Sequence, residues 1–371
     1  MTTGWVWHES YAWHDTGTSA GFVPTGPTVQ PHGHVESAES KARFASLVEV
    51  SGLADHLHRL RVEPASERDL ARVHTPDHLD RMRRQSEQPK GGDMGDGTSP
   101  FGPGGFEIAR RSAGGTIAAF EAVVNGAVDN AYALVRPPGH HALPASGMGF
   151  CMFANIAIAI QRMRADHGIG RVAVVDWDVH HGNGTEAIFN EDPTVLTCSL
   201  HQDGNFPSST GAVDDRGTGE GAGSALNVPL PPGSGHGAYE YAFDEVVMPA
   251  LRRFRPDLIV VASGFDASNA DPLAAMMLTS TGYRAFTERL LDAADELCGG
   301  RLVMSHEGGY SAAYVPYCGL AVMEALSGVR TGVVDPFERH WIDLPGQPLQ
   351  PHQRDLIDRV SAHVADIPTP G

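Results

Sequence analysis

The chain has 371 residues, more than most single domains contain but within the range of one large α/β sheet. Apolar residues at 41% and charged residues at 19% fit a soluble globular protein with a substantial core, and no apolar run is long enough to span a bilayer. A formal net charge of −18 argues against nucleic acid as a partner, since a binder would present a basic face; it is compatible with a cationic substrate.

The first hundred residues read as irregular. Residues 14–36, rich in Gly, Thr, Pro and His, predict a long loop; helices are expected over 39–51 and 67–85. A polar glycine-rich loop follows at Lys90-Gly91-Gly92-Asp93-Met94-Gly95-Asp96-Gly97, a surface connection of the kind that also lines active sites. A helix is expected over 105–128, a strand over 131–135, a helix over 155–167 and a buried strand at Val172-Ala173-Val174-Val175. Strands over 195–201, 258–263 and 302–305 then alternate with helices over 239–253, 281–298 and 312–326, and a long loop covers 202–223. The tail after Val333 is Pro-rich and mildly helical at 353–365, a surface segment or an oligomerisation arm. This alternation predicts an α/β fold, a mostly parallel sheet with helices on both faces. With neither an internal repeat nor a linker, 1–371 reads as one domain with 334–371 as a C-terminal extension.

Four cysteines (Cys151, Cys198, Cys298, Cys318) lack CxxC spacing and read as reduced, buried thiols. The N-terminal residues show no basic-then-apolar secretory pattern, so a cytoplasmic location is expected.

Polar residues and glycines concentrate just after the predicted strands, where open α/β sheets bind ligands. In Asp176-Trp177-Asp178-Val179-His180-His181-Gly182-Asn183-Gly184, alternation along an extended segment puts Asp176, Asp178 and His180 on one side. Asp178 and His180, with Asp266 from a later strand end, form a three-ligand set that suits a divalent ion with one position open. The same spacing fits a hydrogen-bonded turn, and Asp266 fits a helix cap. His140-His141, after Pro137-Pro138-Gly139, suit proton transfer near neutral pH, with Asp176 and Asn183 available to orient them. Tyr310, on a Gly-Gly turn, reads either as an aromatic cap or as a phenol that donates to an oxyanion.

Arg-Pro-Pro-Gly-His-His (136–141), Gly-Phe-Cys (149–151), the Asp176–Gly184 stretch, Gly-Phe-Asp-Ala (264–267) and Glu-Gly-Gly-Tyr (307–310) together resemble the zinc-dependent histone deacetylase family. That family also includes acetylpolyamine amidohydrolases. The likeness runs from about Gly4 to Gly328. It is nearest to bacterial class II histone deacetylase-like amidohydrolases, through Gly91–Gly97 and Asp271-Pro272-Leu273. It implies the arginase/deacetylase-type three-layer α/β fold and one catalytic zinc held by Asp178, His180 and Asp266. It makes His141 the general base toward the zinc-bound water and then the acid toward the leaving amine. His140 would be paired with Asp176 and support the transition state, and Tyr310 would polarise the acyl oxygen. The likeness also implies a narrow channel at Gly149, flanked by Phe150 and Phe206, with Asp96 at its rim accepting from substrate. A structural potassium ion would be held by the carboxylate and carbonyl of Asp176, Ser199 Oγ and the carbonyls of Asp178, His180 and Leu200.

Three departures from the family pattern stand out. Asn183 takes the place of the Asp of class I enzymes, which matches class II and lowers the expected basicity of His141. His34-Val35-Glu36 stands where the family often has His-Pro-Glu, and no role is carried over there. Leu273 occupies the position of a gatekeeper Glu in a dedicated polyamine deacetylase. The expected activity is hydrolysis of an acetylated or acylated amine such as acetyl-lysine or an acetylpolyamine, a small molecule rather than chromatin, by a homo-oligomer (dimer or tetramer). The alternatives are an arginase-like binuclear ureohydrolase, which needs a second carboxylate cluster, and a non-catalytic protein that binds an acylated ligand.

Overall fold

The computed structural model describes residues 1–370. Eight strands build one wholly parallel sheet: β1 (Thr3–Val6), β2 (Leu57–Arg59), β3 (Asn130–Ala133), β4 (Val172–Asp176), β5 (Val195–Gln202), β6 (Ala225–Leu230), β7 (Leu258–Ser263) and β8 (Leu302–His306). Their order is β6-β5-β4-β7-β8-β3-β1-β2. The central strands are unbroken apolar runs because both faces are covered. Alternate side chains enter separate cores. Ala173, Val175, Ile259, Val261, Leu302 and Met304 face one layer; Val172, Val174, Leu258, Val260 and Val303 face the other.

The main helices are α1 (Glu39–Val50), α2 (Gly105–Val124), α3 (Asn155–His167), α4 (Ser280–Cys298), α5 (Val315–Ser327) and α6 (Pro351–Ser361). The first core receives Phe44 and Val48 of α1, Phe286 and Leu290 of α4, Val322 and Met323 of α5, and Ile357 and Val360 of α6. The second receives Ala113 and Phe120 of α2 with Ile156 and Ile160 of α3. The result is the three-layer arrangement of the arginase/deacetylase type.

From β4 the chain runs outward through β5 and β6, then returns with β7 on the other side of β4. This reversal opens a crevice at the C-terminal ends of β4 and β7, where a doubly wound sheet binds its ligand.

Several expectations are corrected. The opening hundred residues are not irregular: they supply β1 and β2, which extend one edge of the sheet. Residues 14–36 contain a small antiparallel sheet of Thr18–Ala20, Val23–Pro24 and His32–Gly33. The helix expected over 67–85 is two helices, Glu67–Leu70 and Pro76–Ser86. Pro76 cannot continue a helix but can begin one, and Thr75 caps the new start by accepting from the His78 N–H. The helix expected over 239–253 starts earlier, at His236, and slips into π geometry over Phe243–Val247, just ahead of Pro249, which has no N–H to donate. β6 (Ala-Leu-Asn-Val-Pro-Leu) was not expected; as an edge strand it tolerates Pro229.

Candidate active site

Four adjacent strands, β4, β7, β8 and β3, deliver the four motifs to one edge of the sheet. Asp178 and His180 follow β4, and Asp266 follows β7. Glu307 to Tyr310 follow β8, and Arg136 to His141 follow β3.

The ligand-type atoms of Asp178, His180 and Asp266, all buried, lie within 4.8 Å of one another. His180 Nδ1 stands 3.0 Å from Asp178 Oδ1 and 3.2 Å from Asp266 Oδ2. Backbone donors hold the carboxylates from outside: Gly308 N–H to Asp178 Oδ2 at 2.7 Å, and Val179 N–H to Asp266 Oδ1 at 2.8 Å. Asp266 Oδ2, buried and aimed at the common centre, has the His180 ring nitrogen beside it but in a geometry that makes no hydrogen bond. Such an orphan is costly unless a cation or donor satisfies it. Burial opposes charge on His180, but the two carboxylates outweigh it and raise its pKa to about 10. Asp266 is raised to about 6 by burial and then by the charge of Asp178. Two carboxylates and one imidazole converging on an unsatisfied oxygen fit a divalent cation such as zinc.

The two histidines of the β3 loop have different partners. His140 Nδ1 donates to Asp176 Oδ2 at 3.0 Å. Burial disfavours its charge, yet Asp178 and Asp176 raise its pKa to about 10. His141 Nδ1 lies 2.7 Å from Asn183 Oδ1. A carbonyl oxygen can only accept, so Nδ1 carries the proton and Nε2 keeps its lone pair. Burial, followed by the charges of His140 and His180, pushes His141 well below the ordinary histidine value. The surroundings thus favour charge on one imidazole of the tandem and oppose it on the other.

Glu307 ties the loops together, accepting from the N–H groups of Gly139 at 2.6 Å and His140 at 3.0 Å. Ligand-type atoms of His140, Cys151 and Glu307 also lie within 4.8 Å of one another. That group contains no second carboxylate cluster of the kind a binuclear ureohydrolase requires.

A cavity of about 300 Å³ leads to this centre, with His141, His180 and Tyr310 in its wall. Phe206 sets its ring edge-on to His141 at 5.0 Å, and Phe150 does the same to Tyr310 at 5.8 Å. Gly149, at φ +53, turns the wall sharply; a Cβ there would lie 2.3 Å from the His141 ring. Leu273 also lines the cavity, as do Phe22, Thr98 and Asn205. These last three sit on loops where side-chain periodicity carries no signal; the one hint in the sequence is Phe22, the lone Phe, Tyr or Trp within the polar 14–36 segment.

Asp96 is not in the cavity wall. Its carboxylate holds two lining residues in place, accepting from the Gly149 N–H at 2.7 Å and the Thr98 N–H at 2.9 Å, and also from Ser99 Oγ at 2.8 Å. Burial and the carboxylates of Asp266 and Asp178 push the Tyr310 phenol well above its ordinary pKa, leaving it a donor at neutral pH. Ser199 lies directly across from Asp176 in the β5–β4 pairing, with its Oγ 2.9 Å from His201 Nδ1. Leu200 is buried in the first core.

The fold and this site define an amidohydrolase of the deacetylase class. A family model described as the histone deacetylase domain matches residues 34–326, and the chain belongs to that zinc-dependent family. It is 52% identical over 371 residues to a histone deacetylase-like amidohydrolase from Pseudomonas aeruginosa, covering 99% of this chain and 97% of that one. It is 37% identical over 331 residues to a probable deacetylase from Archaeoglobus fulgidus, covering 88% and 87% of the two chains. The crystal structure of the HDA15 HD domain superposes with a TM-score of 0.81 at 30% identity, covering 98% of each chain.

Proposed function

We propose that this deacetylase hydrolyses the amide of an acylated primary amine, with an extended alkyl stem lying in the aromatic channel. The observation that carries the reading is a neutral imidazole lone pair and a protonated phenol on the walls of a cavity that ends at a three-ligand cation site. Zinc, held by Asp178, His180 and Asp266, would act as the Lewis acid that activates water and polarises the acyl oxygen.

The protein's own groups supply the remaining chemistry. His141 Nε2 takes the proton of the attacking water; the same nitrogen then gives it to the departing amine. Asn183 holds the tautomer that makes this exchange possible. His140, whose charge is favoured by the Asp178 and Asp176 carboxylates, would stabilise the negative charge that develops on the reacting centre. Tyr310 donates to the acyl oxygen as it becomes an oxyanion. Phe150 and Phe206 exclude water and pack the stem, while Gly149 leaves them room.

The walls formed by Phe22, Phe150, Phe206 and Leu273 include no carboxylate, which supports a neutral alkyl stem at this depth. Acetyl-lysine and N-acetylated polyamines both offer one. Asp96, bonded to Thr98 and Gly149 of the cavity wall, would accept a hydrogen bond from the backbone or amine of the substrate at the channel rim. The potassium reading places Asp176, Ser199 and Leu200 around a second, structural cation; the Asp176–Ser199 pairing supports it. Residues 1–371 act in this reading as one catalytic domain. The C-terminal extension is tied to the body by Arg171, which donates to the Pro368 carbonyl at 2.7 Å.

Acetate release from acetylputrescine, acetylspermidine and an acetyl-lysine peptide separates the substrate classes. At least one is turned over, and His141→Ala lowers that rate by roughly a thousandfold. Undiminished turnover by His141→Ala would overturn the assignment of the base.

A further inference from the structure

Lys41, in the first turns of α1, is fully buried. Its Nζ lies 3.2 Å from Glu36 Oε1 and 3.4 Å from the Gly309 carbonyl oxygen. The same ammonium stands 5.1 Å from the centroid of the Tyr310 ring. Ser40 Oγ donates to the Gly309 carbonyl as well, at 2.8 Å.

Glu36 already has another cation. Arg136 Nε reaches its two carboxylate oxygens at 2.9 and 3.1 Å, and three of the other guanidinium donors go to the carbonyls of Tyr11, His14 and Glu36. Arg136 therefore neutralises Glu36 by itself, and Lys41 is a surplus buried charge. An ammonium removed from water without an anion of its own is unfavourable, and an apolar residue would fill the position at lower cost. What Lys41 does gain is the peptide unit that precedes Tyr310. The oxygen of that unit is held by Ser40 and Lys41, and its N–H donates to Asp271 Oδ2 at 2.7 Å. Both ends of the peptide on which Tyr310 hangs are thus fixed, and the cation sits against the ring that the peptide carries.

We propose that Lys41 is a positioning residue for Tyr310, anchoring the Gly309–Tyr310 peptide and placing a buried cation against the aromatic ring so that the phenol is fixed and strengthened as a hydrogen-bond donor. The inference rests on the reading of Tyr310 as the donor to the acyl oxygen. A cation beside the ring withdraws electron density from the phenol, and a stronger donor matters most when the acyl oxygen becomes anionic. The effect therefore belongs to the transition state and falls on kcat rather than on KM.

The test is steady-state kinetics on whichever acylated amine is turned over fastest, for Lys41→Met, Lys41→Gln and Lys41→Arg, with metal content and Tm measured alongside. Lys41→Met is expected to lower kcat by about tenfold with KM changed less than about twofold and metal content unchanged, and Lys41→Arg to recover most of the loss. Lys41→Gln keeps a donor for the Gly309 carbonyl without the charge, and its kcat is expected to fall between wild type and Lys41→Met. If Lys41→Met does not fold, the Gln and Arg variants carry the same comparison. In a Tyr310→Phe background the loss on Lys41→Met should shrink to less than about twofold, because the group it acts through is gone. A lower Tm with kcat within about twofold of wild type, or losses that multiply in the double variant, would overturn the proposal. Tyr310→Phe with wild-type kcat would overturn the reading of Tyr310 and the proposal with it. An unaltered kcat in Lys41→Met beside an inactive Tyr310→Phe would overturn the proposal alone.

Discussion

Asn183 accepts from His141 Nδ1 without bearing a charge, so it favours an imidazolium less than a carboxylate in the same place would. Burial and the nearby histidines already hold His141 well below its ordinary pKa, and the neutral base persists on the acid side of neutrality. Replacing Asn183 with Asp puts a carboxylate at the same contact. A carboxylate stabilises the protonated ring, so the pKa of His141 rises, less of the neutral base is present at a given pH, and the acid limb of the kcat/KM profile moves to higher pH. A pH–rate profile of Asn183→Asp checks this; an acid limb left in place would mean that another group limits the rate. These residues were legible in the sequence because they occupy fixed offsets from strand ends. Lys41 and Phe22 were not, because their relevance depends on which segments a three-dimensional fold brings beside Tyr310 and the channel.

Each loop that follows a central strand carries its side chains into a crowded space, and Gly308 is one of the tightest points. A Cβ at that position would lie 2.1 Å from Asp266 Oδ2 and 2.6 Å from Asp178 Oδ2, the two carboxylates of the cation site. Gly308→Ala is expected to displace one or both and lower the zinc bound per chain, while far-UV circular dichroism stays unchanged because no helix or strand contacts depend on the added methyl. Full zinc occupancy in that variant would show that the centre is less rigid than its geometry implies. At this scale the sequence was informative where burial on two faces forces an unbroken apolar run, as in β4, β7 and β8. It was uninformative for β1, β2 and β6. Thr-Gly-Trp-Val, Leu-His-Arg and Ala-Leu-Asn-Val-Pro-Leu are short or polar, and their pairing is decided by the neighbouring strand rather than by their own pattern. The split at Thr75–Pro76 carried a signal, a capping residue followed by proline, that apolar periodicity alone overrode.

Across the whole molecule, the strand order determines what the site can be. Only because β4, β7, β8 and β3 are neighbours do motifs more than a hundred residues apart in the chain meet at one edge. The same order places the centre at the wall of a cavity that Phe22, Phe150, Phe206 and Leu273 also line. The central claim is that one cation, held by Asp178, His180 and Asp266, is required for amide hydrolysis. The most direct measurement strips the protein with a chelator, returns zinc in steps and follows acetate release from the best of the acylated amines. Activity should be absent from the stripped protein, rise in proportion to added zinc and level off at one equivalent per chain, with Asp266→Asn remaining inactive throughout. Activity that survives stripping, or that demands two equivalents, would contradict the account.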